Sequence, residues 1–304
     1  MNKKILVLIT IVIAIIIFVL IIGAVIFYFF FYQPDQGKSE DEEDASDWKN
    51  FSILKTGEVS YDEEYRYEIG TAEFVIYPPD FETFEFGYFE VYNKGEKVYA
   101  SAPLYMVLDI LAFKYQWNEY IIVSDYSGGA HCCFSEYIFC LGKNNELKFI
   151  GSLDLGETHI SEESLIMKGK NLYIKIFDDR FAYFYTPYVN SYFFAQYLEV
   201  EDDQLIINNI DFQQDYFEQA FICENDLKEQ LAKHETEEFE NYSPLLVCIT
   251  VNYLLAGQEE EAWQKFEQYS VQVPLNYYGD LVDLEQFKQD LINLFQSETI
   301  SVRK

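Results

Sequence analysis

Tyr120-Ile121-Ile122-Val123-Ser124-Asp125-Tyr126-Ser127-Gly128-Gly129-Ala130-His131-Cys132-Cys133-Phe134-Ser135-Glu136-Tyr137-Ile138-Phe139-Cys140 reads as two strands joined at a two-glycine turn. β-Branched and aromatic side chains suit a pleated surface, and paired glycines permit the positive φ of a hairpin. At strand period His131, Cys133, Ser135 and Tyr137 share one face, while Cys132, Phe134, Glu136, Ile138 and Cys140 share the other. Nothing in that pattern puts both faces in a core. Outward from this hairpin the period stays near two from about residue 51 to residue 210. Tyr65-Arg66-Tyr67-Glu68-Ile69, Phe74-Val75-Ile76-Tyr77, Phe84-Glu85-Phe86, Phe89-Glu90-Val91-Tyr92, Leu172-Tyr173-Ile174-Lys175-Ile176 and Leu205-Ile206-Ile207 all read as strands. Short turn signals such as Asn93-Lys94-Gly95, Lys143-Asn144-Asn145 and Lys168-Gly169-Lys170 separate them, which suits hairpins and not crossover helices. The expectation for residues 51–214 is an antiparallel β-rich domain, either a sandwich or propeller-like blades.

After about Asp215 the period lengthens to that of a helix. Phe217, Phe221, Leu227 and Leu231 recur at helical spacing, followed by an apolar helix over 245–255, an amphipathic one over 259–269 and another over 284–295. Residues 215–304 are thus expected to form a small helical unit, and the fold class α+β. Within it Tyr253, Gly257, Ala262, Phe266 and Pro274 fall at a spacing that resembles one tetratricopeptide repeat over residues 243–275, with Tyr269 where that repeat usually has a small residue. Only one copy is present, and such repeats need about three to stand alone. A helical hairpin burying its face on a neighbour is therefore favoured over a peptide groove.

Residues 5–32, opening on Ile5 and closing on Tyr32, contain no charged residue. A helix rising about 1.5 Å per residue crosses about 30 Å of hydrocarbon in about 20 residues, so this run predicts a transmembrane anchor contacting the lipid bilayer. A cleaved signal peptide has a shorter apolar core, and Gly23 and Ala24 are followed by further apolar residues. Lys3 and Lys4 precede the run and an acidic stretch follows it, which predicts a single pass with the N-terminus inside. Residues 1–32 are accordingly expected as cytoplasmic tip and anchor at a bacterial cytoplasmic membrane. Residues 33–50, with Pro34, Gly37 and acidic Glu40 to Asp44, read as a solvated flexible linker, and the C-terminal body as periplasmic or extracellular.

The chain of 304 residues holds 21 basic and 52 acidic side chains, a formal net charge of −31. That charge repels nucleic acid and anionic lipid; a soluble acidic coat that keeps the domain off the membrane is preferred over a surface for cations, basic peptides or divalent metal. With 27 Phe and 26 Tyr the body is too aromatic to be a disordered tail.

Candidate chemistry concentrates in two segments. A nucleophile pair of His131 and Cys133 would need contact, yet residues two apart on a strand stand about 6.5–7 Å apart. A zinc site wants about four converging ligands, and Cys132 and Cys133 point to opposite faces, so no metal is assigned and no cofactor is expected. Cys223 and Cys248 lie on neighbouring predicted helices and are the disulfide candidate. The vicinal Cys132 and Cys133 read as reduced and buried. In Phe177-Asp178-Asp179-Arg180-Phe181, charges interrupt an aromatic run and need partners. An ion pair of Arg180 with Asp178, Asp179 or Asp125 is preferred over calcium binding. His159, in a loop, and His234, at a helix end, receive no role.

The runs Asp125-Tyr126-Ser127-Gly128-Gly129-Ala130-His131-Cys132-Cys133 and Asp178-Asp179-Arg180-Phe181-Ala182-Tyr183-Phe184, with Ile150-Gly151-Ser152-Leu153-Asp154-Leu155-Gly156 between them, resemble a group of uncharacterised exported bacterial proteins. That group carries a Gly-Gly-Ala-His-Cys-Cys strand and is similar in places to propeller repeats of the integrin-α type. The resemblance covers residues 120–188 and implies export and a β architecture, without an activity; the calcium-like loop frequent in that group is missing before Asp178. Two functional classes follow. The preferred one is a non-enzymatic envelope binding or scaffold module for a protein, peptide or glycan, with no nucleic acid. The alternative is an envelope hydrolase using His131 with Asp125, Asp178 and Asp179, which requires those groups to meet in one cleft.

Overall fold

The computed structural model describes residues 51–60, 63–83, 85–129, 132–201, 203–233, 241–272, 275–277 and 280–297. Three successive antiparallel sheets dominate it. β1 (Phe51–Glu58) pairs with β6 (Met106–Tyr115), which continues through β7 (Asn118–Gly129), β8 (Cys132–Leu141) and β9 (Leu147–Leu155) in the order β1-β6-β7-β8-β9. Inserted between β1 and β6 is a four-stranded meander of β2 (Tyr65–Ile69), β3 (Ala72–Tyr77), β4 (Tyr88–Asn93) and β5 (Glu96–Ala100). The β4–β5 turn places Lys94 and Gly95 both at positive φ, 54° and 81°, the geometry that matches strand twist in a two-residue hairpin. A third meander joins β10 (Leu165–Lys168), β11 (Asn171–Asp178), β12 (Phe194–Glu201) and β13 (Gln204–Ile207). The stretch around Glu85, which reads as a strand, is instead a tip held by an isolated bridge between Asp80 and Glu85.

The five-stranded sheet is buried on both faces. Ala112, Ile121, Val123 and Phe139 pack with Phe74, Ile76, Phe89 and Val91 of the β2–β5 sheet. Their neighbours along the same strands, Leu111, Phe113, Ile122 and Ile138, pack with Leu172, Ile174, Ile176 and Leu198 of the β10–β13 sheet. A stack of three sheets replaces the one-sided burial expected from period two, because apolar residues fill both faces of the central strands. A strand apolar on both sides is stable only between two layers.

The outer face of the third sheet is closed by helices. α1 (Gln213–Lys233) places Tyr216 in a cluster with Tyr173, Tyr197 and Phe212, the last two rings stacked at 3.5 Å. α2 (Ser243–Leu255) is buried almost throughout and lies between α1 and α3 (Glu259–Ser270). Gly257, at φ 75°, ends α2 and lets the chain reverse into α3. α4 (Leu284–Gln296) adds Phe287 and Leu291 to the same core as Phe266 and Tyr269, capped at its start by Asp283, which accepts from the Gln286 amide at 2.9 Å.

The fold class needs one correction. The architecture is mostly antiparallel β-sheet with a few helices, and among the described residues no helix is long and apolar enough to cross a membrane. The longest, α1, carries Asp215, Glu218, Glu224, Asp226 and Lys228, and the apolar α2 has only 13 residues, well short of the roughly 20 a span requires. A transmembrane, single-pass element is therefore not part of the fold described. The chain divides into Met1–Lys49 and Asn50–Lys304. The expected anchor at residues 5–32 and the linker at 33–50 lie outside the described residues.

Candidate functional site

A polar row crosses the central sheet where the sequence offers an apolar one. Asp109 on β6 pairs with Ser124 on β7, and Ser124 pairs with Glu136 on β8. All three face the β10–β13 layer, with Leu111, Ile122 and Ile138 as their nearest companions on that face. A bulge at Leu108 is what brings Asp109 there: Val107 faces the opposite layer, and strict alternation would have kept Asp109 on Val107's side.

Glu136 is fully buried and both of its oxygens are engaged. Ser124 Oγ lies 2.6 Å from Oε2, and the Ile160 amide donates to Oε1 at 3.0 Å. Burial pushes its pKa from 4.5 up to about 8, the two hydrogen bonds pull it down, and the negative charges of Asp109 and Asp125 add to the rise. Glu136 is therefore protonated at neutral pH. The Asp109 carboxyl is also raised, by burial first, and moderated by Ser124 and by His159, whose Nε2 stands 3.9 Å from Oδ2. His159 follows β9, rests its ring 5.2 Å from that of Phe134, and opens onto a cleft of about 410 Å³ with Glu157, Ser161 and Lys175. Ser124 itself has no exposed surface. A hydroxyl that no substrate reaches is not a nucleophile, so this row can hold a proton but cannot attack.

The carboxylates singled out by the sequence do not converge. Asp125 faces the β2–β5 layer beside Val107 and Val123, with Oδ1 accepting from the Met106 amide at 3.2 Å. Burial raises its pKa from 3.8 to about 6, opposed by the amides of Met106 and Tyr126. Asp178 ends β11 on the face of Ile174 and Ile176, in the other interlayer. The five-stranded sheet stands between the two. Asp178 is saturated: Arg180 Nε donates to both oxygens at 2.8 and 3.0 Å, Arg180 Nη2 to Oδ2 at 2.6 Å, and Gln196 Nε2 to Oδ2 at 2.7 Å. The remaining Arg180 nitrogen donates to the carbonyls of Leu294 and Ser297 at the end of α4, so the pair ties the third sheet to the last helix. Asp179 is raised by burial and by Asp178, and its carboxyl packs where a side chain on Gly156 would sit. His131, His234 and Pro274 lie outside the described residues. Among the described residues no three His, Cys, Asp or Glu side chains gather to hold a metal ion.

The cysteines divide. Cys223 on α1 and Cys248 on α2 form a disulfide, with Cα atoms 6.2 Å apart. Cys133 is disulfide-bonded, not the reduced thiol expected for it. Cys140 is a buried thiol 3.2 Å from Asp203 Oδ1, pushed up to about 12 by burial and that carboxylate.

One surface feature has a different character. Tyr77 and Tyr88 stack at 4.4 Å across the ends of β3 and β4, and Phe81 lies 5.9 Å from Tyr105. The bridges Asp80–Glu85 and Gly87–Leu104 gather these rings and Phe86 at one tip of the β2–β5 sheet. Phe86 is 63% exposed and Phe81 55%, with Tyr88 and Tyr105 also open to solvent. Gly128, at φ 82°, belongs to this tip: a Cβ there would come within 2.6 Å of the Tyr105 ring. Gly128 of the central hairpin thus seats an exposed aromatic as well as making a turn.

Sequence reasoning missed Ser124, Glu136, Asp109 and His159. The available signal was a lone Ser and a lone Glu inside otherwise apolar runs at positions that a hairpin about Gly128 places opposite one another.

No family model and no solved structure matches this chain. A probable thylakoid lumen protein of Synechocystis sp. is 27% identical over 154 residues, 49% of this chain. The chain covers 43% of that relative's length, less than half of it.

Proposed function

We propose that the described body is a non-enzymatic binding or scaffold module that works in an exported, oxidising compartment and engages a protein, peptide or glycan. The observation that carries the reading is a contrast in exposure. The buried carboxyls Glu136 and Asp178 are closed in by hydrogen bonds on both oxygens, whereas Phe81, Phe86, Tyr88 and Tyr105 stand open together. Exposed aromatics gathered at one tip are a feature of recognition surfaces, since burial there requires a partner. The compartment is supported by the Cys223–Cys248 bridge, a bond kept in secreted and lumenal proteins and reduced in cytosol, and by the lumenal name of the relative. Acid quenching of intact cells followed by alkylation and mass analysis of the full chain tests it. Cys223 and Cys248 should resist alkylation until reduced; finding both freely alkylated in cells sinks the compartment assignment.

A further inference from the structure

We propose that the aromatic tip of the β2–β5 sheet receives a cationic peptide segment, arginine or lysine side chains lying over the Tyr and Phe faces between carboxylates. The proposal rests on the binding-module reading and names its partner class. Residues 77–90 contain Asp80, Glu82, Glu85 and Glu90 and not one Lys or Arg. Asp80, Glu82 and Glu85 are exposed on the same tip as Phe81 and Phe86. The Asp80 carboxylate accepts from the amides of Glu82 and Thr83 at 2.9 and 3.2 Å, and with Thr83 first among the causes its pKa is lowered, so this anion is firmly fixed.

The nearby cations are spoken for within the sheet. Arg66 is held by Glu64 and Glu73, each at 2.7 Å, and Lys97 by Glu90 at 2.9 Å. Among the described residues no lysine or arginine pairs with Glu82 or Glu85. Aromatic faces carry negative quadrupole potential, and carboxylates around them add to it, so the tip attracts guanidinium and ammonium groups and repels anionic lipid or acidic glycan. The chain as a whole, at −31, adds long-range attraction of the same sign. A neutral sugar would use the rings and gain nothing from that field.

The test titrates the purified full chain with fluorescein-labelled octa-arginine and, separately, with chitohexaose as a neutral glycan. Three variants are compared: Phe86→Ser, the pair Glu82→Gln with Glu85→Gln, and as a charge-matched control the pair Glu259→Gln with Glu260→Gln on the exposed first turn of α3. All five changes are at exposed positions, and circular dichroism confirms folding before binding is read. Octa-arginine should bind at ~20 mM salt and weaken at ~300 mM, where the Debye length shortens. Phe86→Ser and the Glu82/Glu85 pair should each weaken it about five- to tenfold, and the Glu259/Glu260 pair less than about twofold. Equal loss from the two glutamate pairs would mean a diffuse field in place of a site and overturn the proposal. Binding of octa-arginine that ignores Phe86→Ser would overturn it as well. Salt-independent chitohexaose binding lost in Phe86→Ser, without octa-arginine binding, would reject the cationic partner and leave the binding module standing. Absence of binding by both probes would reject the tip as a ligand surface, and the module reading with it.

Discussion

Replacing Glu136 by Gln isolates the energetic consequence of burying a carboxyl inside the central sheet. Glu136 has its pKa raised from 4.5 to about 8, burial being the largest cause, so the folded protein holds this proton over a range in which an unfolded chain has released it. Stability from the group is complete below about pH 4.5, declines as pH rises, and is lost once pH passes about 8. At ~1.36 kcal/mol per pH unit that interval amounts to about 5 kcal/mol. Glutamine has nearly the same shape, offers an oxygen to the Ile160 amide and an N–H to Ser124 Oγ, and does not ionise. The unfolding free energy of the variant minus that of the parent should therefore climb by about 3–5 kcal/mol between pH 5 and pH 9. Urea unfolding followed by circular dichroism, extrapolated to water at each pH, measures it. Subtracting the two curves cancels the repulsion among the other acidic groups. Asp125→Asn serves as the internal control, because its pKa of about 6 confines its effect to a lower pH range. Parallel curves for Glu136→Gln and parent from pH 5 to pH 9 would refute the argument, since they would mean that Glu136 is ionised and hydrated throughout.

Four further outcomes follow from named contacts. Arg180→Ala leaves Asp178 buried with only Gln196 and the residue-180 amide, strips the end of α4 of its donor, and should cost about 3–5 kcal/mol in thermal or urea unfolding. Opening the Cys223–Cys248 bridge with the double change to Ala releases a loop of sequence separation 25 and should lower stability by about 3 kcal/mol, with a matching fall for the parent under reductant. Glu224, buried on α1, is pushed up by burial but held below its usual value by Lys265, Tyr269 and Tyr253, so its contribution is lost as pH falls through that lowered pKa. Glu224→Ala should cost about 2–4 kcal/mol at pH 7 and progressively less as pH falls below the ordinary glutamate range, a trend visible in paired melts. Gly128→Ala meets the Tyr105 ring at a positive φ and should lose about 1–3 kcal/mol, while Tyr105→Gly in the same chain should recover part of it.

The hairpins were legible because turn chemistry and period two agree, as at Asn93-Lys94-Gly95 and Lys168-Gly169-Lys170. The helical tail was legible because apolar residues repeat at helical spacing and Gly257 marks the reversal. What escaped was Met106–Tyr115, the second strand of the central sheet. Its sequence Met106-Val107-Leu108-Asp109-Ile110-Leu111-Ala112-Phe113 is apolar on both sides, and a run without alternation reads equally as helix or strand. The three-sheet stack escaped with it, since two-sided burial of one sheet depends on partners far along the chain. The polar row was hidden by the bulge at Leu108, which moves Asp109 across the sheet in a way no fixed period anticipates. Asp125 and Asp178, two of the carboxylates considered for a hydrolase, lie in different interlayers for the complementary reason. Asp125 and Ser124 are neighbours in sequence, yet a strand sends consecutive side chains to opposite layers, so proximity along the chain separated Asp125 from Asp178.

A sheet buried on both faces has a particular difficulty that the row of Asp109, Ser124 and Glu136 answers. Where one face is polar, a one-residue slip exposes the core and is strongly disfavoured; where both faces are apolar, as in Ile121-Ile122-Val123 against Ile138-Phe139, the slip exchanges one oily neighbour for another. Hydrophobic patterning then says little about which residue sits opposite which. A neutral Glu136 that needs Ser124 on one side and the Ile160 amide on the other finds both only in the observed pairing, and a two-residue shift would set its carboxyl against Ile122. The energetic penalty of burying that carboxyl in the right register is small because it is protonated and hydrogen-bonded, whereas in a wrong register it is the full loss of those bonds. The raised pKa that keeps the buried Glu136 carboxyl neutral is also what makes it effective as a register mark.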